Sequence, residues 1–167
     1  MKNTLLLPYI FDLEMNSNVK ILYVDDEAHN LQAFKANFRR DFTIFTAESG
    51  AEGLEIFKKE ELNIILTDQR MPNMTGIEFL VEVQKVNPEP MRILITGYSD
   101  INAVIDAINR GQVYRYLNKP WHYEDLKSTI LSAHEVFRLR RENKELIDKL
   151  ARANEQLEFL LRQKLLS

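Results

Sequence analysis

The chain has 167 residues, of which 45% are apolar, and carries a net charge of −3 with no cysteine. Its length suits one domain of ordinary size with an appendage, and its apolar content suits a packed core rather than disorder. The absence of cysteine excludes disulfides, thiolate zinc sites and cysteine nucleophiles, and a balance of 13 basic to 17 acidic residues over 1–120 and 9 to 8 over 121–167 makes neither part a strong binder of nucleic acid.

Residues 1–18 read as an N-terminal extension. Leu5-Leu6-Leu7-Pro8-Tyr9-Ile10-Phe11 is apolar but short, contains a proline and runs into Asp12 and Glu14. It is too short to span a bilayer and lacks a small-residue cleavage site. The expectation is a strap packed on the domain, or a leader ahead of a start at Met15, in a cytoplasmic protein without membrane attachment.

From Lys20 to Pro120 short β-branched and apolar runs alternate with amphipathic ones. Strands are expected at Ile21–Val24, Phe42–Ala47, Ile64–Thr67, Arg92–Thr96 and Tyr114–Leu117. Helices are expected at Ala28–Arg39, Ala51–Lys59, Ile77–Val86 and Ile101–Asn109, where for example Leu31, Phe34 and Phe38 recur at helical spacing. Alternation of this kind implies βαβ units, hence an α/β fold with a doubly wound parallel sheet and helices on both faces.

Three carboxylates sit at strand ends in this scheme: the pair Asp25-Asp26 after the first strand and Asp68 after the third. In a parallel sheet those ends open onto one crevice, the ligand-binding place of open α/β folds. Held together without counter-charge they would repel one another. A hard divalent cation, Mg²⁺ above all, offsets that repulsion and accepts oxygen ligands. Such a cluster with one nucleophilic oxygen is equipped to receive a phosphoryl group.

After Trp121 no strand pattern, glycine or proline follows, so residues 123–166 read as one long helix. A heptad fits from Val136, with Val136, Asn143, Leu150, Leu157 and Lys164 at a and Leu139, Leu146, Ala153 and Leu160 at d. About four heptads argue for a coiled coil, and an Asn at an a position favours a two-stranded parallel register. The expected dimer contacts are Val136, Leu139, Asn143, Leu146 and Leu150, with Glu135 at g and Arg140 at e placed to pair across the dimer.

In order along the chain stand Val24-Asp25-Asp26, Asp68-Gln69-Arg70-Met71-Pro72-Asn73-Met74-Thr75-Gly76, Ile95-Thr96-Gly97 and Tyr116-Leu117-Asn118-Lys119-Pro120. Over about residues 19–130 this set resembles the receiver domain of two-component response regulators, with residues 131–167 as a coiled-coil linker to an output domain. The flavour of Thr67–Pro72 and Gly111–Tyr116 is similar to receivers joined to hydrogenase-type transcription regulators or HD-GYP phosphodiesterases.

The resemblance implies a flavodoxin-like sheet of order 2-1-3-4-5 and a phosphoryl group accepted on Asp68 from a sensor histidine kinase. It implies Mg²⁺ ligation by Asp26, by Asp25 directly or through water, by Asp68, and by the backbone carbonyl of Arg70. Lys119 would pair with the phosphoryl group, Thr96 would donate its hydroxyl to it, and Lys119-Pro120 would be cis. Thr96 and Tyr116 would act together as the switch. The domain would catalyse only its own phosphotransfer and dephosphorylation. A stand-alone Mg²⁺-dependent phosphohydrolase would need a second Asp two residues beyond Asp68, where Arg70 stands. Arg70 and Tyr98 flank the expected mouth of the site and bear on phosphate lifetime.

Overall fold

β1 (Lys20–Val24), β2 (Thr43–Ala47), β3 (Ile64–Asp68), β4 (Met91–Thr96) and β5 (Arg115–Asn118) pair in parallel in the order β2-β1-β3-β4-β5. This is a computed structural model that describes residues 19–97, Ser99 and residues 101–167. The N-terminal extension and Tyr98 lie outside the described residues. The helices are α1 (Ala28–Phe38), α2 (Gly50–Lys59), α3 (Gly76–Val86), α4 (Ile101–Asn109) and α5 (Tyr123–Leu166). Each strand and helix falls within one residue of the bounds expected from the sequence. Phe42, read as the first residue of the second strand, instead closes a turn through its N–H to Phe38 O and lays its ring on that of Phe38.

Central strands β3 and β4 are buried along their whole length, as strands covered on both faces must be. Alternation sorts their side chains into two cores. Ile21, Tyr23, Ile64, Leu66, Ile93 and Ile95 face α1 and α5. Leu22, Val24, Ile65 and Leu94 face α2, α3 and α4. Each large side chain fully buried in these layers contributes about 1.5–3 kcal/mol.

The starts of α2 and α3 are secured by capping hydrogen bonds. Ser49 Oγ accepts the Glu52 N–H at 3.1 Å, and Thr75 and Glu78 form a reciprocal capping box. Each cap stabilises its helix by about 1 kcal/mol. At the floor of the sheet the buried Arg92 guanidinium donates to the carbonyls of Pro88, Pro90, Gly111 and Gln112. It thereby ties the turn before β4 to the one before β5. Burial pulls its pKa down, with the Arg140 charge adding to the effect.

α5 has two regimes. Leu126, Ile130, Ala133 and Phe137, spaced by four, three and four residues, are buried against the α1 side of the sheet. Tyr123 and Lys127 bind Asp41 at 2.9 and 3.5 Å, and Lys144 reaches Glu89 at 3.0 Å. Beyond that the helix runs exposed to its end. Among the described residues no helix is long and apolar enough to cross a membrane.

Candidate functional site

Parallel registers Val24↔Thr67, Asp68↔Ile95 and Thr96↔Asn118 bring the carboxyl ends of β1, β3, β4 and β5 to one edge. There Asp25, Asp26 and Asp68 each offer an oxygen within 4.8 Å of the others. Asp25 is fully buried, Asp68 is 7% exposed and Asp26 is open to solvent. The carboxylates that the sequence placed at separate strand ends therefore form one cluster.

Lys119 enters this cluster from β5. Its backbone N–H donates to Thr96 O at 2.9 Å, and the Lys119-Pro120 peptide is cis. The ammonium lies 3.1 Å from Asp68 Oδ1 and 3.2 Å from Asp25 Oδ2. Burial alone would lower the Lys119 pKa, but the hydrogen bond and charge of Asp68, then of Asp25, outweigh it and hold it above its usual value. Burial pushes the Asp68 carboxyl up and the Asp25 charge adds to that, while Lys119 works against both.

Asp25 has further partners that sequence reading missed. Its Oδ2 accepts Tyr23 OH at 2.8 Å and Asn30 Nδ2 at 3.1 Å, and its Oδ1 accepts the Glu27 N–H at 3.0 Å. A signal for Tyr23 was available: residues two apart in a strand share a face. Burial, then the Asp25 charge, drives the Tyr23 hydroxyl far above the usual phenol range.

The loop after β3 is built for close approach. Gly76 donates its N–H to Gln69 O, and a Cβ there would fall on the Asp68 carbonyl oxygen. Gln69, a buried residue the sequence did not single out, accepts the Ile77 N–H on its side-chain oxygen at 3.0 Å. Asn73 takes φ +66°, a left-handed turn position that Asn tolerates.

Thr96 is buried beside the cluster and donates its hydroxyl to Gly97 O at 3.2 Å. Register Leu94↔Tyr116 and strand alternation put Tyr116 on the same sheet face as Thr96, half-buried against the core. Arg70 is exposed and donates to Ser99 Oγ at 2.6 Å, joining the loop after β3 to the one after β4 across the mouth of the site.

The donor set suits a hard cation: three carboxylates, one of them solvent-facing for entry, and a carbonyl-bearing loop alongside.

Of the expected dimer positions, Leu139, Leu146 and Leu150 are 49%, 60% and 63% exposed, and Asn143 is also exposed. Val136 is half-buried on its own core. Glu135 and Arg140 both have partners within the chain: Glu135 pairs with Arg138 at 2.8 Å, and an Arg140 nitrogen lies 3.8 Å from Met91 Sδ.

Residues 21–131 match the family model of the response regulator receiver domain. The chain is similar to the hydrogenase transcriptional regulatory protein HoxA of Bradyrhizobium diazoefficiens, 34% identical over 73% of this chain and 25% of that protein. HoxA of Cupriavidus necator is 37% identical over 70% of this chain and 24% of its own length. The chain thus spans about a quarter of the length of these curated relatives. A crystal structure described as adenylate cyclase from Rhodopirellula baltica superposes with a TM-score of 0.77 at 36% identity, covering 79% of this chain and 98% of that one. With its sheet order and the matched span of 21–131, the chain belongs to the receiver domains of two-component response regulators.

Proposed function

We propose that Asp68 accepts a phosphoryl group from a phosphohistidine on a sensor histidine kinase, with Mg²⁺ as cofactor, and that this biases a dimer controlling an output domain. The observation that supports it most is the Lys119 ammonium held between Asp68 and Asp25 in the strand-end crevice. A carboxylate cluster whose counter-charge is a part-exposed lysine is arranged to exchange that charge for a cation and a phosphoryl group.

Asp25, Asp26, Asp68 and the Arg70 carbonyl would hold the ion. When bound, Mg²⁺ offsets the charge of the carboxylates and of the phosphoryl oxygens. Asp68 Oδ attacks phosphorus, the phosphorus–nitrogen bond breaks, and its electron pair leaves with the histidine ring. Lys119 then pairs with the phosphoryl group and Thr96 turns its hydroxyl from Gly97 O toward a phosphoryl oxygen. Tyr116 moves into the space Thr96 leaves. This is a population shift, its size set by the differential contacts of the two states. The activity is confined to the domain's own phosphotransfer and dephosphorylation.

The receiver comprises residues 19–130 and residues 131–167 its linker helix, in a cytoplasmic protein; the linker packs on the receiver core as far as Phe137, and its exposed remainder would form the dimer. The exposed stripe of Leu139, Leu146, Leu150, Leu157 and Leu160 supports a parallel two-stranded coiled coil, with Asn143 setting its register. The transcriptional role named for HoxA suggests an output of that kind.

Intact-mass spectrometry after incubation with acetyl phosphate and Mg²⁺ tests the core of the proposal. One phosphoryl adduct is expected on the wild type and none on Asp68→Asn. No adduct on the wild type, with beryllofluoride also failing to bind, would leave a constitutive dimerisation module.

A further inference from the structure

We propose that Tyr23, together with Asn30, is a positioning residue of the cation site, holding Asp25 so that it meets Mg²⁺ through one defined oxygen, Oδ1. This rests on the reading above that the cluster binds Mg²⁺.

Three donors converge on Asp25 Oδ2: Tyr23 OH at 2.8 Å, Asn30 Nδ2 at 3.1 Å and Lys119 Nζ at 3.2 Å. A carboxylate oxygen has two lone pairs, so three donors already exceed its capacity. Lys119 is the one able to leave. It sits on a long flexible stem, its side chain is 28% exposed, and it has a second acceptor in Asp68 Oδ1 at 3.1 Å.

Tyr23 cannot leave. Its ring is fully buried, 4.9 Å from that of Phe34. Burying a hydroxyl in an apolar layer is unfavourable unless it finds a partner. Here the partner is Asp25. Asn30 approaches the same oxygen from α1. With Oδ2 occupied by two anchored donors, the other oxygen is the one left to a cation. Among the described residues Oδ1 accepts one hydrogen bond, from Glu27 N–H at 3.0 Å, so one lone pair remains.

Orientation matters more for Mg²⁺ than for Ca²⁺. Mg²⁺ demands near-ideal octahedral geometry, whereas Ca²⁺ accepts irregular, larger shells. A freed Asp25 carboxylate therefore penalises Mg²⁺ first. General weakening of the fold would affect both ions alike.

The test is isothermal titration of the full chain with MgCl₂ and with CaCl₂, for wild type, Tyr23→Phe, Asn30→Ala and Asp26→Asn. Tyr23→Phe keeps the ring, and Asn30→Ala alters a half-buried position of α1. Each is expected to weaken Mg²⁺ binding by about tenfold or more, as loss of a ligand-orienting partner does. Ca²⁺ binding is expected to weaken less, and the apo melting temperature to stay near that of wild type.

Unchanged Mg²⁺ affinity in both variants, or equal losses for the two ions, would overturn the proposal. Wild type that binds no Mg²⁺ would overturn the metal reading itself, a result distinct from wild type and Tyr23→Phe binding equally. If Tyr23→Phe does not fold, the ¹³Cζ resonance of Tyr23 in labelled wild type decides. It is expected to move in step with Mg²⁺ saturation, and a resonance that stays still would refute the role.

Discussion

The Lys119 ammonium lies 3.1 Å from the Asp68 carboxylate, and the same nitrogen reaches Asp25 at 3.2 Å. One positive charge from β5 thus neutralises part of an acidic cluster built from β1 and β3. Any cation entering the cluster competes with that ammonium.

Lys119→Met is therefore expected to have opposite effects on two measurements. Removing a unit charge from beside the carboxylates should tighten Mg²⁺ binding by at least about tenfold, since charges a few ångströms apart near a surface interact by about 1–4 kcal/mol. Phosphoryl uptake should slow by at least a similar factor, because the group that pairs with the arriving phosphoryl oxygens is gone. Titration calorimetry reads the first and time-resolved intact mass the second. A parallel fall in both would mean that Lys119 supports the site only structurally.

Gly76→Ala tests the close approach beneath Asp68. The added Cβ would fall on the Asp68 carbonyl oxygen and lie 3.0 Å from Gln69 Cα, both backbone atoms that cannot swing aside. Overpacking of this kind costs about 1–3 kcal/mol. Urea unfolding should show that loss. Phosphoryl uptake should fall with it, since the strain is relieved by moving the residue that carries the nucleophile.

His134 gives a pH dependence of known sign. Burial depresses its pKa below 6.5; Glu135 opposes the shift and Arg138 reinforces it. Lys20, Lys58, Glu60, Glu61 and Arg141 line the groove it borders. Between the depressed native value and the unfolded one, the unfolded chain binds more protons, so stability rises with pH through that window. Its contribution is fully present above about pH 6.5 and is lost as pH falls below it. His134→Gln should remove this part of the pH profile in urea midpoints measured from about pH 8 down to about pH 5. A profile identical to wild type would refute it.

The exposed stripe of α5 predicts assembly. Leu150→Asp places a charge at the centre of the expected seam and should weaken association by at least about a hundredfold, the cost of burying unpaired carboxylates. Asn143→Leu should strengthen association and relax its register, because the polar a position that specifies two strands is lost. Sedimentation equilibrium distinguishes these outcomes. A wild type that is monomeric at all concentrations would remove the dimer from the proposed function.

Much of this was legible along the chain. Runs such as Ile64-Ile65-Leu66-Thr67 mark strands buried on both faces, and the spacing of Leu31, Phe34 and Phe38 marks a helix with one covered side. These periods are local, and burial of a whole face enforces them, so element bounds and the meeting of Asp25, Asp26 and Asp68 at one edge could be read in advance, whereas Thr96 and Lys119 were added by the family resemblance.

Partner choice was not legible in the same way. Arg140, which its heptad position would let pair across a dimer, also lies against Met91 of its own chain, and Val136 packs against the α1-side core. Tyr23 reads as one more apolar-face strand residue until its hydroxyl is found 2.8 Å from Asp25. Gly76 reads as a turn until the Asp68 carbonyl is seen where its Cβ would be.

The amino-acid sequence by itself determined the strands, the helices and the edge where the acidic groups meet, because hydrophobic periodicity is a property of neighbours along the chain. Only the tertiary structure decided which donors each oxygen of Asp25 accepts, which carboxylates share Lys119 and where α5 leaves the core. Those outcomes turn on hydrogen-bond distances between segments far apart in sequence, and no local pattern carries them.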